Sequence, residues 1–391
     1  MTEIVGLSLE FWLGSMEVLL LAVTLGVTAI TGWFVWRQAR SHFEFDKTMR
    51  FIERWNDPAF SPSLIRLRDT LTELAEQAEQ GRACLRASEI AHANDDEGRR
   101  IRGEIVIGYN LLQELGAAYK RGVLHDGYFR DVFASITQRY FEGLSAYVLM
   151  QRIVLHRASL LEDWEQVAAV MRAEEQRSSP IQTGSGTPRR LLRSPRRLVT
   201  DTAVFGYGSL VHPDSAARTV RGPWSPFHIA RLWPAELAGM NRAWNYEQEI
   251  VSVQDAARRS VRFLGLEAAS GARCSGVLVP VRGDDLDRLD TRERFYDRVD
   301  VTEQIIYDEE FLRARDRYRR VYTYVPREPA DPAGHVVIPE TYRTTLTSAK
   351  ELWGPRFAKM FASLDALPDG CETFGGKYRF PDAEQNAAAG R

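Results

Sequence analysis

One short segment, residues 203–211 with the sequence AVFGYGSLV, constrains the fold of this chain more than any other. Its apolar start is typical of a buried strand, and the strand ends in two glycines that bracket Tyr207. Glycine lets a backbone approach its neighbours closely because it carries no Cβ. Consecutive amide N–H groups in such a turn form a concavity that binds anions or carbonyl oxygens. The segment therefore predicts a strand with a backbone binding site at its end.

The chain length of 391 residues exceeds what one hydrophobic core usually organises, so several domains are expected. The formal net charge of −2 gives no reason to expect a nucleic-acid partner. We predict, in chain order, a tail and transmembrane helix over residues 1–40, an all-α helical domain over 41–172, a linker over 173–199, an α+β domain over 200–382 and a tail over 383–391.

The transmembrane helix is predicted over residues 18–36, which carry no charge and are long enough to cross a bilayer. Trp33 and Trp36 lie at one end of the stretch, and Arg37 and Arg40 follow directly, whereas the residues before it carry acidic charges only. The positive-inside rule then places the N-terminus outside and the rest of the chain in the cytoplasm, as a single-pass membrane protein. A buried core helix and a cleaved signal peptide are the alternatives.

Residues 41–172 show apolar residues at helical spacing, which is typical of packing surfaces in a small bundle. The stripes contain Phe45, Met49, Ile52 and Trp55, then Ile105, Tyr109, Leu112, Leu115 and Tyr119, then Phe129, Val132, Phe133, Ile136, Tyr140, Leu144, Tyr147 and Val148. The uncharged helix, the segment FIERWNDP and a later YNxxxE helix together resemble a bacterial membrane-tethered helical domain of unknown function. We expect this region to act as a scaffold, a sensor or a homo-oligomerisation unit.

The linker is rich in Ser, Gly, Pro and Arg, and we predict that it is disordered because it has little apolar surface to bury. Five of its arginines cluster between residues 189 and 197. The cluster indicates contact with anionic lipid headgroups or a solvated spacer, and the sequence does not separate the two.

Metal and cofactor chemistry have no support in the sequence. The three cysteines are widely spaced without a CxxC pair, which also argues against a disulfide framework and fits a reducing compartment. The seven histidines show no metal-binding spacing. We therefore expect neither a metal nor a cofactor.

From residue 200 onward, short strand-like runs mix with helical patches in no strict alternation, which indicates an α+β domain. A second motif, LDRLDTRERFYDRVDV, occupies residues 286–301. With the GYGSL turn and ordered matches out to about residue 362, it resembles the γ-glutamylcyclotransferase-like superfamily. The resemblance implies a small mixed β-barrel with outer helices and a pocket at the turn. It also implies release of 5-oxoproline when the α-amine of a γ-glutamyl group attacks its own γ-carbonyl.

By position in the motifs, Glu293 would be the catalytic carboxylate, acting first as general base and then as general acid. The resemblance implies that the substrate is bound by Tyr207, Gly208, Ser209, Leu210, Tyr296 and Tyr324. From composition alone, Glu293 is better explained as a surface ion-pair partner of Arg292, Arg294 or Arg298, and only the motif match favours catalysis. The glycines are equally explained by a tight turn and the tyrosines by core packing. Asp290 and Asp297 are the other candidate carboxylates.

Several functions stay open at this stage. The leading one is a membrane-anchored cytoplasmic enzyme that cleaves a γ-glutamyl amine, amide or peptide. The same pocket also suits a non-catalytic module that senses a ligand, or a stress or defence effector. A serine hydrolase built on Ser209 and His212 is disfavoured, because the G-x-S-x-G spacing is missing. The turn continues with Leu210, unlike the turn of glutathione-directed relatives, so the substrate itself is not predicted.

Overall fold

The computed structural model describes residues 2–178, 200–222, 224–331 and 336–390. We call residues 2–178 the helical half and residues 200–390 the sheet half. The described helices, in chain order, are α1 (Thr2–Trp55), α2 (Ser61–Glu79), α3 (Ala83–His92), α4 (Asp96–Lys120), α5 (Asp126–Val132), α6 (Ala134–Val154), α7 (Glu162–Ser178), α8 (Pro213–Thr219), α9 (Ser225–Ala230), α10 (Gly283–Arg292), α11 (Glu309–Ala314), α12 (Glu340–Leu352), α13 (Gly354–Phe357) and α14 (Ala383–Ala389).

The predicted transmembrane helix is wrong. The uncharged stretch 18–36 is one part of the continuous helix α1, and among the described residues no helix is both long enough and apolar enough to cross a membrane. The single-pass localisation with an outside N-terminus, and the membrane as a partner through this helix, are wrong for the same reason.

The helical half buries much of its predicted stripes, although Val132 is exposed and the first stripe is only partly buried. Ile105, Leu112 and Leu115 of α4 are fully or almost fully buried, which confirms that this stripe is a packing surface. The third stripe is divided, because α5 ends at Val132 and α6 begins at Ala134. Helix α7 continues to Ser178, past the predicted start of the linker, and the rest of the linker, residues 179–199, lies outside the described residues.

The sheet half is built on a mixed seven-stranded sheet with the order β4-β6-β1-β3-β2-β5, in which β9 also pairs with β2. A small parallel pair, β7-β8, lies beside it. The described strands are β1 (Thr202–Gly206), β2 (Trp233–Ser252), β3 (Arg258–Pro280), β4 (Tyr296–Asp300), β5 (Ile305–Tyr307), β6 (Arg320–Pro326), β7 (Val337–Pro339), β8 (Glu372–Phe374) and β9 (Tyr378–Arg379).

The sheet is curled rather than flat. Two register shifts interrupt the long β2–β3 hairpin, one of them at Gly239, whose φ of +77° is readily adopted only by glycine. The Tyr296 hydroxyl of β4 donates a hydrogen bond to the Leu264 carbonyl in the middle of β3, so distant strands meet across the curl. The pairing order of the described strands nevertheless has ends at β4 and β5, so the structure differs from the closed barrel that we predicted.

The two halves share one continuous hydrophobic core. The rings of Phe141 and Phe227 stack across the boundary with their centroids 5.2 Å apart. The Arg152 guanidinium reaches from α6 and donates to the Ala230 carbonyl at 2.6 Å. Two backbone amides of α3 donate to the Asp214 carboxylate at the start of α8. The helical half therefore packs directly against the elements that surround the GYGSL turn.

Candidate functional site

A cavity of about 730 Å³ opens beside the end of β1. Its volume lies in the range of pockets that hold drug-sized ligands. The cavity is lined by all seven of the residues that the sequence predicted for the site, namely Tyr207, Gly208, Ser209, Leu210, Glu293, Tyr296 and Tyr324. The chain thus brings the turn after β1, the end of α10 and strands β4 and β6 to one place.

The turn after β1 needs both of its glycines for steric reasons. A Cβ on Gly206 would lie 2.6 Å from the Leu210 Cβ, and a Cβ on Gly208 would lie 2.7 Å from the Tyr342 hydroxyl oxygen. The Tyr207 hydroxyl donates to the Tyr324 carbonyl at 2.7 Å, and this bond fixes the turn to β6. Tyr207 is therefore an anchor of the turn as well as a wall of the cavity.

The amides of Ser209 and Leu210 belong to a short helix that lies beside the cavity. Ser209 and Leu210 begin a 3₁₀ helix, Ser209–Val211, and both residues line the cavity. The first residues of a helix find no acceptor within that helix for their N–H groups. The side chain of Arg242 donates to the Tyr207 carbonyl at 2.9 Å from the other side, which holds the preceding peptide in place.

Glu293 follows the last turn of α10. Its amide donates to the Leu289 carbonyl at 2.8 Å, and its own carbonyl accepts from the Tyr296 amide at 2.8 Å, so the residue sits in a tight connection between α10 and β4. The side chain keeps only 19% of its exposure, and its Oε1 lies 3.0 Å from Nε of Arg292. The carboxyl group is shielded from bulk water and has one close cationic neighbour.

Burial raises the pKa of Glu293 above its ordinary value, and the charge of Arg292 offsets part of that effect. Burial also raises the pKa of several cavity tyrosines, and the nearby charge of Glu293 adds to the increase; these are Tyr207, Tyr246, Tyr296, Tyr324 and Tyr342. Glu293 therefore lies close enough to act electrostatically on five of the tyrosines that line the cavity. Its raised pKa suits a group that takes up and returns a proton near neutral pH.

The other arginines of the motif do not pair with Glu293. Arg294 pairs with Asp382, and Arg298 pairs with Asp290 at 2.7 Å. Asp290 also accepts a hydrogen bond from the Tyr324 hydroxyl at 2.8 Å, so this carboxylate orients a cavity tyrosine from behind.

The two alternative carboxylates lie elsewhere. Asp297 pairs with Arg327, and 65% of its side chain is exposed. Neither Asp290 nor Asp297 is among the residues that line the cavity. The position of Glu293 is thus distinct from that of the two aspartates.

Arg292 is a cavity residue that the sequence analysis treated only as an ion-pair partner. Its guanidinium donates to the Ser209 hydroxyl at 2.8 Å and to the Thr219 hydroxyl, besides contacting Glu293. Arg292 therefore links the turn after β1 to the carboxyl group. Its position next to Glu293 in the RER sequence indicated a contact between these two residues, whereas its contact with Ser209 is visible only in the structure.

Further cavity residues come from segments that the sequence analysis did not connect with the site. The side-chain amide of Gln385 in α14 donates through Nε2 to the Arg292 carbonyl at 2.9 Å. Its Oε1 accepts from Nε2 of Gln248 in β2 at the same distance. The segment 383–391, interpreted as a tail, thus contains a helix that lines the cavity. The Asp382 carboxylate accepts the Gln385 amide N–H and caps that helix.

The helical half also reaches the cavity. Gln80, the residue after α2, lines it together with Arg218 of α8. The Arg218 guanidinium donates to the Gly81 carbonyl at 3.2 Å, and Gly81 adopts a φ of +68° at this contact. The rim of the cavity is therefore composed of both halves.

The arrangement around Ser209 does not resemble that of a serine nucleophile. Its hydroxyl accepts from Arg292, whereas His212 contacts the Ser348 hydroxyl through Nε2 at 3.1 Å and accepts the Asp214 amide through Nδ1. Burial lowers the pKa of His212 to about 4. Within the described residues, no group of three or more His, Cys, Asp or Glu side chains is arranged to hold a metal ion.

Comparison with known proteins gives the following. Residues 18–171 match the family described as Domain of unknown function (DUF4760), and no curated protein matches the sequence. One similar solved structure is a γ-glutamyl cyclotransferase, with 15% identity and a TM-score of 0.32 over 48% of this chain and 97% of that chain. Another is a γ-glutamyl cyclotransferase specific to glutathione from yeast, with 14% identity and a TM-score of 0.25 over 43% of this chain and 88% of that chain.

The family match spans less than half of the chain and names no activity. The resemblance of the N-terminal part to a bacterial membrane-tethered domain stays a prediction. The activity of the chain has to be inferred from the chemistry of the cavity.

Proposed function

We propose that the chain is a γ-glutamylcyclotransferase-like enzyme that releases 5-oxoproline from a γ-glutamyl amine, amide or peptide. The observation that carries the proposal is the shielded Glu293 carboxyl group, with its raised pKa, in a cavity that also contains the amides of the turn after β1. The reaction needs a proton acceptor, an oxyanion binder and a shape that folds the substrate onto itself. The cavity offers a residue for each need.

In the proposed reaction the α-amine nitrogen of the glutamyl group attacks its γ-carbonyl carbon, and a C–N bond forms as the ring closes. Glu293 takes the proton from the attacking amine. The amides of Ser209 and Leu210 donate to the oxyanion that develops on the carbonyl oxygen. Glu293 then gives its proton to the leaving nitrogen as the original C–N bond breaks. The products are 5-oxoproline and a free amine, and the carboxyl group ends in its starting state.

The remaining site residues have positioning roles in this proposal. Arg292 donates to the Ser209 hydroxyl, and its charge opposes the rise that burial causes in the pKa of Glu293. Tyr324, oriented by Asp290, and Tyr296 shape the space around the substrate head. Tyr207 keeps the turn in register with β6 through its bond to the Tyr324 carbonyl.

The test uses the full-length chain, because the halves share a core. Purified protein is incubated with a panel of γ-glutamyl amines, amides and dipeptides, and 5-oxoproline is quantified. We expect product from the wild type and a loss of product in Glu293→Gln, which keeps the shape of the side chain. A folded wild-type protein that yields no product with any compound would contradict the proposal.

A second candidate, a non-catalytic sensor, is favoured by one observation. Gln80 of the helical half lines the cavity, so a bound ligand would contact both halves. A sensor binds γ-glutamyl compounds without turning them over. Calorimetric binding to the wild type without 5-oxoproline formation would support the sensor, whereas turnover abolished by Glu293→Gln would exclude it.

A further inference from the structure

Beyond the glutamyl head, the cavity has a wall of aromatic rings that the proposed reaction does not use. The wall consists of Tyr246, Phe263, Tyr296, Tyr342, Tyr378 and Phe380, and all six line the cavity. Phe263 lies at its centre, with ring centroids 4.9 Å from Tyr342 and 5.9 Å from Tyr378. The rings of Tyr246 and Tyr296 lie 4.2 Å apart at the end near Glu293.

The wall runs from the reacting group to the mouth. At one end, the charge of Glu293 acts on Tyr246, Tyr296 and Tyr342. At the other end, the ring of Phe380 lies 5.9 Å from Tyr378 and 6.3 Å from Phe263. Phe380 is fixed by Asn386 of α14, which accepts its amide and donates to its carbonyl. These two bonds fix the backbone of Phe380 at the end of the wall farthest from Glu293.

The mouth is cationic. Lys377 and Arg379 are exposed and line the cavity at β9, as Arg218 does at α8, and Glu293 is the acidic residue among the lining residues. Like charges repel, so a leaving amine with a second, distal ammonium group is disfavoured at this mouth. Aromatic rings in offset or edge contacts attract each other beyond the area that they bury.

From this geometry we infer a substrate class: the leaving amine carries a flat aromatic body that packs against this six-ring wall. The inference rests on the proposed function for the position of the glutamyl head. A head group alone would leave most of a 730 Å³ cavity empty, whereas an arylalkyl amine extends from Glu293 toward Phe380 along the wall.

The test compares three amides of γ-glutamate with the full-length chain: the ethylamide, the phenethylamide and the amide of 1,4-diaminobutane. The three share the reacting atoms and differ in the leaving amine. We expect kcat/KM for the phenethylamide to exceed that for the ethylamide by about tenfold or more, mainly through KM. Of the two longer amides, the diaminobutane amide should have the lower kcat/KM. Equal values for ethyl and phenethyl compounds, or a preference for the diamine, would overturn the inference.

Two variants distinguish a specific effect of the aromatic wall on substrate preference from a general loss of stability. Phe380→Leu keeps an apolar side chain and removes the ring, and it should reduce the phenethyl-to-ethyl ratio severalfold. Phe374→Leu is the matched control, because Phe374 of β8 packs against Arg259 and does not line the cavity, and it should leave the ratio unchanged. A ratio that falls equally in both variants would contradict a specific role for the wall.

Binding distinguishes a failure of this inference from a failure of the proposed function. Calorimetry of the same amides with Glu293→Gln measures the preference without turnover. If the phenethylamide binds more tightly than the ethylamide but the wild type forms no 5-oxoproline, the aromatic wall is supported as a binding site and the proposed enzyme activity is contradicted. If all three amides are turned over with equal kcat/KM, the enzyme activity is supported and the role of the aromatic wall is contradicted.

Discussion

Glu165 at the interface of the two halves and Glu293 in the cavity are both shielded from water, and their pKa values are shifted in opposite directions. Glu165 is fully buried and faces Arg152 at 2.8 Å, Arg231, and Arg315 at 3.9 Å. Burial pushes its pKa upward, but the charges of the three arginines more than offset this and lower the pKa to about 2. Among the described residues, Glu293 has only Arg292 as a close cationic neighbour, and burial prevails.

The different number of cations around Glu165 and Glu293 indicates a different role for each carboxyl group. A carboxylate surrounded by three cations stays ionised at neutral pH and serves to hold segments together, since two of its arginines belong to the sheet half. A carboxyl group with one cation and a nearby cavity can exchange a proton at an accessible pH. Counting the cations around a buried acid thus separates a structural site from a candidate catalytic one.

The largest effect is expected on turnover. Glu293→Gln should reduce kcat by about 10² to 10⁴-fold, because it removes the proposed proton carrier and keeps the shape. Asp290→Asn is the matched control, since Asp290 lies one turn earlier in α10 but is paired with Arg298 outside the cavity. We expect it to reduce kcat far less. Equal losses in the two variants, measured as 5-oxoproline formation, would remove the distinction between these carboxyl groups.

The next effect is on stability. Glu165→Gln should lower the free energy of unfolding by about 3 to 5 kcal/mol, because it leaves buried arginines without their counter-charge. Arg315→Met should cost much less, since Arg315 is the most distant of the three and burial with its two cationic neighbours lowers its pKa to about 9. Urea unfolding of the full-length variants measures both values. A larger loss in Arg315→Met than in Glu165→Gln would contradict this view of the interface.

The pH dependence sharpens the comparison. The folded pKa of Glu165 lies near 2, below its ordinary value, so its contribution is fully present above about pH 5 and is lost as pH falls through the folded pKa. The shift corresponds to about 3 kcal/mol of linked stability. The difference in unfolding free energy between the wild type and Glu165→Gln should therefore shrink as pH falls from 5 toward 3. A difference that does not change with pH would show that the cluster contributes through packing alone.

How much of this was accessible from the sequence depends on distance along the chain. The strand before the GYGSL turn follows from a local pattern and was predicted. Glu293 was named from its position in the motif, but its place directly after α10 was not predicted. The contact of Arg292 with Ser209, the cavity role of Gln385 and the approach of Gln80 depend on how distant segments pack, and no local pattern encodes them. The interface around Glu165 is of the same kind, because a glutamate in α7 looks like a solvated residue until Arg231 and Arg315 are placed beside it.

The transmembrane prediction failed for a different reason. It depended on an absence of charge and on the arginines that follow, both of which are local features. Among the described residues no helix is both long enough and apolar enough to cross a membrane, so these local features did not predict this element correctly.

A smaller effect should come from the one cation beside Glu293. Arg292→Gln removes the charge that lowers the pKa of Glu293, so this pKa rises further and the acidic limb of the kcat/KM profile moves to higher pH. For each unit of movement, activity on the acidic side falls about tenfold. Arg292→Lys keeps the positive charge and should move the limb less. An acidic limb that stays in place in Arg292→Gln would mean that another group controls it.

The smallest effect has the opposite sign to the loss at Glu165. Because the folded pKa of Glu293 is raised, the folded protein holds this proton more tightly than the unfolded chain, and stability falls as pH rises from the unfolded pKa through the folded one. At neutral pH the buried charge thus costs stability, and Glu293→Gln should unfold at a higher urea concentration than the wild type. The two proteins should converge below about pH 4, where both side chains are neutral. If Glu293→Gln both reduces turnover and stabilises the fold, then burying this carboxyl group lowers the stability of the protein and serves its reaction. Destabilisation by Glu293→Gln at neutral pH would instead place Glu293 with Glu165, as a structural ion pair.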